Sequence, residues 1–122
     1  MCGIVGVLSF DGSPVDARVV ARMADIARHR GPDDRGMRSF SLARKESEEI
    51  HSGSASSRAY EGCLAFNRLS IIDLSANGHQ PMVSVDSKII LTFNGEVYNA
   101  FDFDKELEAK GHRFRGHSDT ER

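Results

Sequence analysis

Long hydrophobic runs are missing from this sequence, and their absence excludes several classes of protein. No apolar stretch approaches the roughly 18 residues that cross a bilayer as a helix. The apolar run at the N-terminus follows no basic segment, so we do not expect a secretory signal. Neither charge sign dominates, because 16 Lys and Arg face 18 Asp and Glu, for a net charge of −2. We therefore expect neither a membrane nor a nucleic acid as partner.

Cysteine is also scarce in this chain. Cys2 and Cys63 are the only two, which is too few for a disulfide framework. The five histidines are scattered without the spacing of metal ligands, so no metal site is predicted. A length of 122 residues allows one domain with a modest core. These features predict a cytoplasmic globular protein.

Apolar periodicity predicts a strand and then a helix in the first thirty residues. Residues 2–10 are apolar and rich in β-branched side chains, which is typical of a buried strand. Ser13 is predicted to cap the helix, which has Pro14 in its first position and ends before Gly31. The predicted apolar face of this helix consists of Val19, Val20, Met23, Ile26 and Ala27.

In the rest of the chain, the sequence pattern predicts further strands, one more helix and a polar surface segment. Residues 44–62 are polar, serine-rich and without periodicity, which predicts a mobile surface excursion. Residues 100–111 are predicted to form a helix that stops at Gly111. The predicted strands are residues 36–43, 63–73, 87–98 and 112–116.

A cysteine directly after the initiator methionine raises the question of chemistry at the N-terminus. A thiolate attacks carbonyl carbons, but a thiol of ordinary pKa needs a base to reach that state. If Met1 is removed, the α-amine of Cys2, with a pKa of about 8, is such a base. The alternative is a cysteine without a chemical role, packed at the start of a strand.

Other positions carry groups that an acyl-transfer site needs. Asn94 and Gly95 offer a side-chain amide beside a main-chain N–H as donors to an oxyanion, although Asn-Gly is also typical of a hairpin turn. Arg68 lies in an apolar strand, where its charge suits either a clamp on a substrate carboxylate or a buried ion pair. Asp119 could accept hydrogen bonds from a substrate ammonium or belong to a solvated loop. With Cys2, these groups are complementary to glutamine.

Five motifs carry a family resemblance and occur in this order: MCGIVGV, RHRGPDD, RLSIIDLSANGHQPM, FNGEVYN and GHRFRGHSDTE. Together they resemble class II glutamine amidotransferase domains, most of all the N-terminal glutaminase domain of glutamine-hydrolysing asparagine synthetases. The motifs RHRGPD and GHQPM are more similar to that branch than to amidophosphoribosyltransferases or glucosamine-phosphate synthases. The resemblance covers nearly the whole chain, apart from the excursion at residues 44–62.

The resemblance implies an α+β fold of the N-terminal-nucleophile class, a four-layer αββα sandwich of antiparallel sheets. It also implies that Cys2 attacks the side-chain amide of L-glutamine, releases ammonia and forms a γ-glutamyl thioester that water hydrolyses. No cofactor is implied for this chemistry. In full-length relatives the ammonia passes to a synthetase domain, which uses ATP and Mg²⁺ to make asparagine.

Individual site residues follow from the same resemblance. Asn94 and Gly95 would form the oxyanion hole, and Arg68 would hold the α-carboxylate of glutamine. Glu96 and Asp119 would face its α-ammonium. The main chain of four further residues would line the pocket: Leu69, Ser70, Ile71 and Ile72. Arg30 and Asp33 would have a supporting role, in which they order a loop near the N-terminus.

The resemblance also leads us to expect that residues 1–122 are part of a longer domain. Relatives continue beyond Glu121-Arg122 with further strands and the synthetase domain, so we expect a partial domain here. A partner or a homo-oligomer is then expected to cover open strand edges and apolar faces. We further expect the excursion at 44–62 to perturb the strand that carries Arg68. The alternatives to an asparagine-directed glutaminase are a glutaminase that feeds another acceptor and a non-catalytic fragment with a role in assembly or regulation.

Overall fold

The computed structural model describes residues 1–51, 54–71 and 73–122. Within these residues, antiparallel sheets and two short α-helices confirm the expected α+β class and are consistent with an N-terminal-nucleophile sandwich. The helices are α1 (Ala17–Ile26) and α2 (Asp104–Ala109). The strands are β1 (Gly3–Leu8), β2 (Asp34–Ser41), β3 (Glu46–Glu49), β4 (Gly62–Arg68), β5 (Met82–Val83) and β6 (Ile90–Leu91). No helix in the described ranges is long and apolar enough to cross a membrane.

A four-stranded antiparallel sheet in the order β1-β4-β2-β3 is the centre of the fold. Its inner strand β4 pairs with β1 on one side, where Gly3 lies opposite Asn67, and with β2 on the other. Cys63 and Ala65 of β4 are fully buried, and their small side chains let α1 pack closely on this face of the sheet. The other face carries the chain segments that contain the predicted site.

Helix α1 begins later than the sequence predicted. The N-cap is Asp16, whose side chain accepts a hydrogen bond from the N–H of Arg18 at 2.9 Å, and not Ser13. Ser13 lies in a separate turn, where its N–H donates to the side chain of Asp11 at 2.9 Å. The cap prediction is therefore wrong, because a local aspartate turn occupies the serine before the helix starts.

The apolar face of α1 is also narrower than predicted. Its buried residues are Ala17, Val20 and Ala24, so of the predicted face only Val20 lies fully in the interface with the sheet. Three other predicted residues are substantially exposed: Val19 at 41%, Met23 at 40% and Ile26 at 80%. Small alanines face the sheet because they allow a close approach, and the larger apolar side chains lie at the margin.

The serine-rich segment contains a strand and buried side chains, which its lack of periodicity did not predict, although most of residues 54–59 are exposed. It contains β3, which pairs with β2 so that Glu48 lies opposite Ser39. Ile50 and Tyr60 are buried, and the N–H of Ile50 donates to the carbonyl of Met37 at 2.9 Å. Because β2 separates β3 from β4, β3 does not pair with the strand that carries Arg68. The end of the segment leads directly into β4, where Gly62 lies opposite Leu8 of β1. Residues 52–53 lie outside the described ranges.

The C-terminal third contains less regular structure than predicted. The predicted strand at residues 87–98 is reduced to the two residues of β6, which pair with β5. The predicted strand at residues 63–73 ends at Arg68, and residues 112–116 form no strand. The predicted helix at 100–111 consists of a 3₁₀ turn followed by α2, and Gly111 ends it with a φ of +92°.

The exposed apolar side chains of α1 predict that copies of the chain associate with one another. Removing Met23 and Ile26 of α1 from water would stabilise a contact with a second surface. We predict that the 122-residue chain self-associates, and that Ile26→Lys reduces this association while the control Arg22→Lys on the same helix does not. Light scattering over a concentration series measures the effect. A wild-type chain that stays monomeric throughout, with a cooperative melt, would contradict the prediction.

Candidate active site

The thiol of Cys2 lies against the main chain that leaves β4. Its Sγ accepts a hydrogen bond from the N–H of Leu69 at 3.3 Å and lies 3.7 Å from the Leu69 carbonyl oxygen. Cys2 directly precedes β1, whose pairing with β4 brings these distant positions together. The thiol is half-buried, whereas Met1 is exposed. The arrangement fixes a thiol at the end of the central strand and leaves the N-terminal residue accessible.

Two side chains donate to the main-chain carbonyl oxygen of Cys2. One is Arg30, whose Nε lies 3.1 Å away, and the other is Asn94, whose Nδ2 lies 3.2 Å away. Asn94 is therefore a direct neighbour of the residue that carries the thiol. Gly95 follows in an exposed bend after β6, so this Asn-Gly pair does not connect two paired strands.

The segment after α1 holds the chain at residues 68–70 from the other side. The carboxylate of Asp33 accepts a hydrogen bond from the N–H of Ser70 at 2.8 Å. The N–H of Asp33 donates to the carbonyl of Arg68 at 3.0 Å. The main chain beside the thiol is thus fixed by the same motif that places Arg30 on Cys2.

Arg68 is buried at the end of β4, and main-chain carbonyl groups accept its hydrogen bonds. Its Nη1 donates to the carbonyl of Ser75 at 2.9 Å, and its Nη2 donates to the carbonyl of Asp73. Gly78 makes room for the guanidinium, because a Cβ there would lie 2.0 Å from Nη2. Arg68 forms no salt bridge within residues 1–51, 54–71 and 73–122. Further N–H groups of the same guanidinium remain for a second acceptor.

Asp119 is buried and meets the segment that carries Asn94. Its Oδ2 accepts a hydrogen bond from the N–H of Val97 at 2.8 Å. Ser118 caps the short 3₁₀ turn that begins at Asp119. Arg122 braces this turn, because its Nη1 donates to the Ser118 carbonyl at 3.1 Å and its guanidinium stacks on the ring of Phe114. Asp119 is thereby held beside the segment 94–97.

The other predicted site residues differ in their placement. Ser70 takes part in the contact with Asp33, and Leu69 contacts the thiol directly. Ile71 is 71% exposed, and Glu96 is exposed on the same segment as Asn94. Ile72 lies outside the described residues, so its predicted position is not described.

Two residues that sequence reasoning missed tie this site together. Asp73 accepts hydrogen bonds from the N–H of Ser75 at 2.8 Å and from the N–H of His117 at 3.0 Å. These bonds hold the pKa of Asp73 at about 2, chiefly through Ser75 and then through His117. The pattern Asp-x-Ser is typical of such a turn and was the available signal. The second residue is Gln80, which contacts Phe93.

A cavity of about 710 Å³ lies between the β5–β6 sheet and residues 111–115. None of the predicted site residues that the structure describes lines this cavity. The Cys2 thiol and the buried Arg68 lie outside the cavity, beside the end of β4. Within the described part of the chain, no group of three or more His, Cys, Asp or Glu side chains is placed to hold a metal ion.

Comparisons with known proteins agree with the motifs. The chain matches the glutamine amidotransferase domain family over residues 1–122. It is 36% identical over 126 residues to glutamine-hydrolyzing asparagine synthetase 1 of Bacillus subtilis, covering 99% of this chain and 16% of that protein.

Two plant relatives show the same pattern. Identity is 36% to glutamine-hydrolyzing asparagine synthetase 1 of Arabidopsis thaliana and 38% to the glutamine-hydrolyzing asparagine synthetase of Sandersonia aurantiaca, each over 122 residues. Both comparisons cover 99% of this chain, and they cover 17% and 19% of the relatives. The chain therefore spans less than a fifth of the length of these relatives. No solved structure matches it significantly.

The contacts of Asp73 predict how the site responds to acid. Its pKa is about 2 in the fold against an ordinary value of 3.8, so the carboxylate stabilises the fold above about pH 4. That contribution is lost as the pH falls from about 4 to about 2. We expect the amide signal of His117 in NMR spectra to shift across this window in the wild type but not in Asp73→Asn.

A matched control uses Asp86, whose pKa is also about 2 but which lies in the turn between β5 and β6. Asp86→Asn should leave the titration of the His117 amide unchanged. A His117 amide that does not respond to acid in the wild type would show that the contact with Asp73 is not formed.

Proposed function

Because this chain belongs to the glutamine amidotransferase domain family, we propose that it is the glutaminase part of an asparagine-synthetase-type amidotransferase. In this proposal it hydrolyses L-glutamine to glutamate and ammonia. The observation that carries the proposal is the Cys2 thiol, one residue from the N-terminus and held at 3.3 Å by the N–H of Leu69 at the end of β4. A thiol in that position has both a fixed geometry and, after loss of Met1, its own α-amine.

The synthesis of asparagine is a proposal about a longer protein. The relatives are named as glutamine-hydrolyzing asparagine synthetases, and this chain spans less than a fifth of their length. We propose that a synthetase domain outside residues 1–122 accepts the ammonia. ATP and Mg²⁺ would act in that domain.

Cys2 attacks glutamine in the first proposed step. Once Met1 is removed, the α-amine of Cys2 takes the thiol proton, directly or through a water, and Sγ bonds to the side-chain amide carbon. The tetrahedral intermediate then breaks its C–N bond, and the α-amine returns the proton to the departing ammonia. The product is a γ-glutamyl thioester on Cys2.

Water completes the proposed reaction. The α-amine takes a proton from a water molecule, whose oxygen attacks the thioester carbonyl carbon. The C–S bond breaks, the thiolate recovers its proton, and glutamate leaves. Each step uses only Cys2, glutamine and water, so the proposed glutaminase reaction needs no cofactor.

Asn94 and Gly95 are the proposed oxyanion donors for both tetrahedral intermediates. The Asn94 amide carries two N–H groups, of which one donates to the Cys2 carbonyl at 3.2 Å. The second can face an oxyanion formed beside Sγ, together with the main-chain N–H of Gly95. Donors fixed in place before the reaction stabilise the transition state more than mobile water does.

Opposite charges on two segments would orient the amino-acid end of glutamine. Arg68 is buried and has guanidinium N–H groups beyond those given to Asp73 and Ser75, which suits an α-carboxylate. Asp119 accepts from Val97 through Oδ2 and presents a second carboxylate oxygen for an α-ammonium. Glu96, one residue before Val97, is the second carboxylate proposed to face the α-ammonium.

The role of the α-amine is tested by the state of the N-terminus. A chain that begins at Cys2 should release glutamate from glutamine, whereas a chain that retains Met1 has an amide in place of the amine and should be inactive. Intact mass identifies the two forms, and enzymatic detection of glutamate measures the rate. Equal activity in the chain that retains Met1 would rule out the N-terminal-nucleophile mechanism.

Two further variants are expected to affect different kinetic parameters, one mainly kcat and the other mainly KM. Loss of one oxyanion donor in Asn94→Ala should lower kcat by roughly 100- to 1,000-fold. Arg68→Ala, and more mildly Arg68→Lys, should mainly raise KM. The control Asn99→Ala removes an exposed asparagine in the following turn and should change neither parameter. Unchanged turnover in Asn94→Ala would show that this amide is not an oxyanion donor.

A further inference from the structure

We infer that Gln80 is a positioning residue for the oxyanion donors: its side-chain amide substitutes for a neighbouring strand and fixes Asn94 beside Cys2. The inferred effect of Gln80 on catalysis rests on the proposed function. The contacts themselves are independent of it, and they connect a residue outside the predicted site to the segment 93–97.

Gln80 is only 6% exposed and pairs with the main chain of a single residue. Its Oε1 accepts from the N–H of Phe93 at 2.7 Å, and its Nε2 donates to the carbonyl of Phe93 at 3.3 Å. Residues facing each other in an antiparallel ladder exchange the same two bonds. The β5–β6 ladder ends at Leu91 in the described structure, so the Gln80 side chain extends the pairing to Phe93.

Gln80 can fix another segment because its own main chain lies tightly against the central sheet. A Cβ at Gly36 of β2 would lie 2.0 Å from the carbonyl oxygen of Gln80, so only glycine permits this approach. The neighbouring His79 bonds through Nδ1 to Asp34 of β2 at 2.7 Å. Through these contacts Gln80 connects Phe93 to β2, which pairs directly with β4.

Three contacts then define the segment that carries the oxyanion donors. Gln80 holds Phe93 at its start, the Cys2 carbonyl accepts from Asn94 in its middle, and Asp119 holds Val97 at its end. Only the first of these three uses a side chain with no proposed role in binding or catalysis. Its loss should therefore displace the donors and leave Arg68 and Asp119, which lie on other segments and are proposed to bind glutamine, in place.

Kinetics of the chain that begins at Cys2 test the inference. In Gln80→Leu we expect kcat to fall by roughly 10- to 100-fold with KM changed less than about threefold, because a small displacement of a catalytic group is costly. The control is Glu61→Ala, which removes a side chain that holds the N–H of Leu42 at 2.6 Å next to the opposite end of β4. A control that loses kcat to the same extent, or a Gln80→Leu that loses none, would overturn the inference.

A second measurement does not depend on activity. In NMR spectra, the Asn94 side-chain amide and the Phe93 main-chain amide should shift in Gln80→Leu and stay in place in Glu61→Ala. In Gln80→Glu, both signals should return toward wild-type positions as the introduced carboxyl is protonated, since only the protonated form can donate to the Phe93 carbonyl. Unmoved Asn94 signals in both Gln80 variants would overturn the inference.

The two measurements separate the inference from the proposed function. A wild-type chain that starts at Cys2 and releases no glutamate counts against the proposed function of residues 1–122. The NMR signals of Asn94 then still decide whether Gln80 positions it. An active wild type with an unaffected Gln80→Leu counts against Gln80 alone.

Discussion

The antiparallel register between β1 and β4 is the constraint on which the candidate site depends. Gly3 lies opposite Asn67, so Cys2 and Arg68 continue the same ladder by one position at its end. Side chains alternate between the two faces of a sheet, which puts Cys2 and Arg68 on the face away from α1. A slip of one residue would turn the thiol toward the helix. Asn67 also joins the end of β4 to α1, because its Nδ2 donates to the Ala24 carbonyl at 2.7 Å.

On that face, the site is built mainly from main-chain segments that are held by polar side chains. Asp33 holds the chain after β4, Asp73 connects the loop around Arg68 to His117, and Asp119 holds Val97. Buried or half-buried main-chain groups need such partners where regular strands end. Irregular chain can therefore keep a defined geometry here, as a site with oxyanion donors requires.

Local features of the fold were accessible from the sequence, and the long-range ones were not. Strands β1 and β4 and the stop at Gly111 follow from apolar pattern and glycine, which act over a few residues. The cap at Asp16 and the strand β3 were missed because competing local turns and an edge position determine them. The contact of Gln80 with Phe93 joins segments 13 residues apart and leaves no periodic signal. Cys2, Asn94 and Asp119 were candidates because of their side-chain chemistry and again because of the motif resemblance, and their chemical roles remain proposals.

The central claim is that Cys2 becomes acylated by glutamine through its side-chain amide. The most direct measurement is intact mass and peptide mapping of the chain that starts at Cys2, quenched with acid during turnover of glutamine. The account predicts a γ-glutamyl adduct on Cys2 alone, because Cys63 is fully buried beneath α1. Release of glutamate with no adduct on Cys2 under any quench, or an adduct on Cys63 instead, would contradict it.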